Sequence, residues 1–119
     1  MRGAALLLAL ALPAAEAAGP PPGRYQASLC VATSPAAPPS CGEALLEIGA
    51  GDRLRVSVAD IVYRLRLRPH QLDVATMHGA VLIDEFSAEY DWSDGALRFV
   101  DAAKAVRYEV RPGARIGAP

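Results

Sequence analysis

Arginine is the residue type whose placement in this chain most invites chemistry. Arg53 and Arg55 alternate with Leu54 and Val56, and Arg64, Arg66 and Arg68 alternate with Leu65 and Leu67. A period of two puts alternate side chains on one face of a strand. With Ala59-Asp60 as the turn between two such strands, Arg55 lies opposite Arg64, with Arg68 on the same face. Like charges placed directly across a ladder are unfavourable, so the arrangement asks for a reason. An anionic ligand supplies one, because the planar guanidinium fork matches carboxylate and phosphate. The competing account is a solvated face neutralised by nearby acids such as Glu47 and Asp73. Arg55, Arg64 and Arg68 are the candidate binding residues.

Other reactive types are sparse. Asp84 and Glu85 interrupt the apolar run Val81 to Phe86, but neighbours on a strand point to opposite faces and cannot act on one bond together. His70 and His78 fall in turns, with no second histidine or cysteine at metal-ligand spacing. The sequence lacks GxSxG, HExxH and a phosphate-binding glycine loop. No metal, cofactor or catalytic set is expected. Cys30 and Cys41 are the only cysteines and flank a Pro/Ala/Ser-rich stretch from Thr33 to Ser40. Without a CxxC they read as a structural disulfide.

The context for that bond is export. Arg2 gives a short positive start, Ala4 to Leu12 an uninterrupted apolar run, and Ala15-Glu16-Ala17 a small-residue cleavage pattern. Residues 1–17 therefore read as a signal peptide, giving a periplasmic or secreted location. No later run approaches the ~18 apolar residues of a membrane-spanning helix. The net charge of −1 excludes the strongly basic balance of a general nucleic-acid binder.

The elements that must position these residues are strands. Tyr25 to Val31, Arg53 to Val58, Tyr63 to Arg68, Phe86 to Trp92 and Val106 to Arg111 all alternate apolar with polar. Turn signals lie between them at Gly49-Ala50-Gly51, Pro69-His70, His78-Gly79 and Asp94-Gly95. Closing those loops pairs Trp92 with Leu97, Tyr90 with Phe99, and Asp91 with Arg98. It also pairs Leu67 with Leu72 and Arg66 with Asp73. A three-residue loop at Gly49–Gly51 sets Leu46 against Leu54 and Glu47 against Arg53. Cys41 to Leu46 could form a turn of helix.

The expected fold is all-β: a small antiparallel meander of seven or eight strands, forming a barrel or two-layer sandwich with one disulfide. After the signal peptide come a flexible lead-in at 18–23, the β domain at 24–111 and a disordered tail at 112–119. Nearly all the aromatic residues fall on the inward phase, although Tyr90 and Trp92 could line a pocket at an open mouth. The leading functional expectation is an exported binding module for an anionic glycan, a lipid headgroup or an acidic protein. Alternatives are a small-ligand carrier with a barrel cavity and an envelope hydrolase using Asp84 or Glu85.

Overall fold

A computed structural model describes residues 19–119; the proposed signal peptide lies outside the described residues. Nine strands form one antiparallel sheet: β1 (Gly23–Ala32), β2 (Ser40–Ile48), β3 (Arg53–Val58), β4 (Ile61–Leu67), β5 (Leu72–His78), β6 (Val81–Ala88), β7 (Tyr90–Ser93), β8 (Ala96–Asp101) and β9 (Val106–Gly117). Their order is β6-β5-β4-β3-β2-β1-β9-β8-β7. The two edge strands are consecutive in the chain, separated only by Glu89. Successive antiparallel pairings require β6 and β7 to run in the same direction. Val81 to Ser93 is thus one bent strand that leaves β5 and joins β8, closing the sheet into a near-complete barrel. The expectation of seven or eight strands undercounts by this break.

Alternation explains the barrel. One phase of every strand turns inward, and Leu46, Val56, Leu72, Val74, Leu97 and Val110 are almost wholly removed from water. Tyr25, Leu29, Ile48, Leu54, Leu65, Ala88 and Phe99 complete the buried core, with Tyr63, Phe86, Tyr90, Trp92 and Tyr108 packed against it. The lumen is filled by side chains, as in other small barrels.

Three hairpins keep the registers read from sequence: Arg55 faces Arg64, Leu67 faces Leu72, and Trp92 faces Leu97. Asp94 and Gly95 both take positive φ (53° and 74°), as a two-residue turn that follows the strand twist requires. The β2–β3 hairpin differs. Its loop takes in Asp52 and is closed by the Gly49 amide on the Arg53 carbonyl at 3.0 Å. Ile48 therefore faces Leu54, and Glu47 faces Arg55 instead of Arg53. A slip of two residues keeps every side chain on its face, so the core is unaffected.

Three further expectations are corrected. Cys41 to Leu46 belongs to strand β2, with no helical turn, because it pairs with β1 along its length. Residues 112–117 are strand and not a disordered tail; β9 continues past Pro112 and pairs with β1 as far as Gly117. Pro112 and Gly113 mark a register shift there, and the Gly113 position leaves only 3.0 Å between an added Cβ and the Gln26 carbonyl. The lead-in packs down as well, with Gly19 seated directly on the Trp92 ring and the Tyr25 hydroxyl donating to the Pro21 carbonyl. Cys30 and Cys41 are bonded directly across the β1–β2 ladder.

Candidate functional site

Cross-strand register builds the arginine site. On the outer face one row runs Arg24, Glu47, Arg55, Arg64, Ala75 and Glu85 from β1 to β6. The next row, towards the β2–β3 loop, runs Arg53, Arg66, Asp73 and Ser87. Four guanidinium groups therefore occupy adjacent positions on two paired strands, over a surface cleft of about 590 Å³. Arg53 and Arg66 belong to this cluster although they were not among the candidates. The signal for them was the same turn that placed Arg55 opposite Arg64, since that register also sets Arg53 against Arg66.

The neighbouring acids neutralise the cluster unevenly. Glu47 lies 3.6 Å from Arg24 and 3.8 Å from Arg55, and Asp52 lies 3.7 Å from Arg66. These separations give exposed, screened contacts of small strength. Arg53 and Arg64 have no ion-pair partner among the described residues. They sit diagonally across the ladder, with Arg55 and Arg66 at the other corners. Arg68 stands apart. Just beyond β4, its guanidinium is held at 2.6 Å by Asp73, while its carbonyl accepts the Tyr90 hydroxyl at 2.7 Å. The structure thus brings Arg55 and Arg64 together and leaves Arg68 outside the cleft. Asp73 is held below the usual carboxylate range, chiefly by the Ser87 hydroxyl and then by the Arg68 and Arg66 charges.

Asp84 and Glu85 point to opposite faces. Asp84 is half-buried on the inner phase at the seam between β6 and β8, bound at 2.6 Å by Lys104. That ammonium lowers the Asp84 pKa, and the carboxylate in turn raises that of Lys104. Asp101, nearly fully buried, lies 4.0 Å from the same ammonium. The chain's single lysine therefore joins the β8–β9 turn to β6. Beside it, Tyr108 stacks on Phe99 and Phe86, and burial is the main cause of its pKa being pushed up to about 12. Glu85 is exposed in the arginine row.

His78 is bonded to Asp60 at 2.8 Å across the β4–β5 pair. Among the described residues no three His, Cys, Asp or Glu side chains are grouped to hold a metal ion, and no helix is long and apolar enough to cross a membrane.

A larger groove of about 930 Å³ follows the seam past Ser87, Tyr90 and Phe99 to Arg107. Its charges are mixed: Glu89, Asp91 and Glu109 accompany Arg98 and Arg107, and Arg98 is taken by Glu109 at 2.8 Å. Volume favours the groove; the cleft sets four arginines against Glu47, Asp73 and Glu85, where the groove sets two against three acids, so the positive excess favours the cleft. The cleft is the better candidate, since a concentrated unpaired charge is what selects a ligand. The chain matches no protein-family model, no curated protein and no solved structure.

Proposed function

We propose that the chain is an exported binding module whose outer arginine ladder holds an anionic partner. The observation that carries this reading is the pair of guanidiniums at Arg53 and Arg64, without an ion-pair partner among the described residues, beside Arg55 and Arg66. Guanidinium forks take carboxylate or phosphate oxygens two at a time. The leader sequence and the Cys30–Cys41 bond support a place outside the cytoplasm. A carrier role draws less support, because Leu46, Leu72 and Leu97 occupy the lumen. A hydrolase role draws less as well, because Asp84 is engaged by Lys104.

The test is retention on an immobilised phosphorylated or sulfated polyanion over a salt gradient. The parent protein is retained and elutes with salt, as exposed charge pairing requires. Arg55→Glu with Arg64→Glu runs through unretained, with an unchanged thermal midpoint. Equal retention of parent and variant, or no retention of the parent at low salt, overturns the reading.

A further inference from the structure

The outer face that carries the arginines changes character one row further along the strands. Leu45, Ser57, Val62, Met77 and Leu82 succeed one another from β2 to β6. This row is offset two residues from Arg55 and Arg64, about 7 Å along the strands. It ends at Val81, Leu82 and Ile83, which are 61%, 50% and 53% exposed. The β5–β6 turn beside them is Gly79-Ala80, also exposed and uncharged. Single exposed aliphatics are ordinary, whereas three in succession next to an apolar turn form a patch.

We propose that this face docks on an anionic lipid bilayer. The β5–β6 tip and Leu82–Ile83 enter the interfacial region, and the two arginine rows lie at the level of the headgroup phosphates. The juxtaposition carries the argument: unpaired guanidiniums beside an exposed aliphatic edge match a surface of negative headgroups over hydrocarbon. A soluble glycan would use the arginines and leave Val81–Ile83 in water. A partner strand added to β6 would need a regular edge, and the register shift opposite Thr76 and Met77 interrupts it where the aliphatics lie. Of the carboxylates at this end, Asp60 is engaged by His78 and Asp84 by Lys104, while the exposed Glu43 and Glu85 have no ion-pair partner among the described residues, so the arginines must outweigh them. The proposal rests on the anion-binding reading above and names its partner.

The experiment is co-sedimentation with phosphatidylcholine vesicles, with and without phosphatidylglycerol, alongside retention on the soluble polyanion. Any leader that is retained is common to all variants, so comparison among them isolates the face. The parent sediments only with phosphatidylglycerol and is released by salt. Leu82→Ser with Ile83→Ser lowers partitioning by on the order of tenfold and leaves polyanion retention unchanged. Ile83→Trp serves as the second variant, its indole emission shifting to shorter wavelength on the anionic vesicles. Polyanion retention without sedimentation overturns lipid docking and leaves the arginine reading standing. Failure of both removes both. Sedimentation of the Leu82→Ser, Ile83→Ser protein equal to the parent, an unshifted indole, or self-association of the parent abolished by the same substitutions in place of lipid binding, also overturns the proposal.

Discussion

Arg64 shows how a residue can be placed against its own stability. It faces Arg55 directly across the β3–β4 ladder and has no ion-pair partner among the described residues. Opposed like charges are unfavourable by a fraction of a kcal/mol. Replacing one with a strand-compatible neutral residue should therefore help the fold while harming retention. Arg64→Thr is expected to stabilise the protein by about 0.2–1 kcal/mol in urea unfolding and to weaken polyanion binding. A destabilised Arg64→Thr protein would mean that the arginine is held by contacts worth more than the repulsion. At this scale the sequence was informative because the side chains alternate and a two-residue turn fixes the pairing. It could not show that Asp73 would draw Arg68 away, since that choice depends on Ser87 arriving from β6 to hold the carboxylate.

Elements were legible where short turns set the register and obscure where the chain departs from them. Asp94-Gly95 and Ala59-Asp60 each leave one geometry, and both hairpins follow it. The Gly49–Asp52 connection admits two three-residue closures of the same parity, and the one set one residue further along, Ala50 to Asp52, is adopted. Pro112-Gly113 resembles the end of a domain by local chemistry. A free β1 edge reaching it from almost ninety residues earlier in the chain overrides that signal. The disulfide acts at the same scale. It ties β1 to β2 at the base of a loop with no core contacts of its own, and the closure should be worth ~3 kcal/mol in the chain-entropy account. Cys30→Ser with Cys41→Ser is expected to lower the unfolding free energy by about that amount, with the strand content unchanged by circular dichroism. A loss under ~1 kcal/mol would show that the reduced, unfolded chain already keeps structure around this loop.

For the molecule as a whole, the ring is closed at the seam by aromatic packing and one lysine. Tyr108 sits there against Phe86 and Phe99, with its hydroxyl ionising only at about 12. Tyrosine in an unfolded chain ionises near ~10. The folded pKa is raised, so the unfolded chain releases the proton first as pH increases. The contribution is intact below pH ~10 and is lost as pH climbs from there through about 12. Tyr108→Phe should remove the latest step of the phenolate absorbance titration and flatten the alkaline fall in thermal midpoint. An unchanged titration would place Tyr108 in contact with solvent and the seam open.

Strands β1 and β9 lie side by side, Arg24 opposite Gly117, at the pole farthest from the Gly79-Ala80 turn. Whatever is joined before β1 or after β9, whether a fluorophore, an affinity tag or a neighbouring domain, emerges at that pole. A cargo fused at either position would leave the barrel at the end opposite the Gly79-Ala80 tip, and two cargoes fused at both would be neighbours.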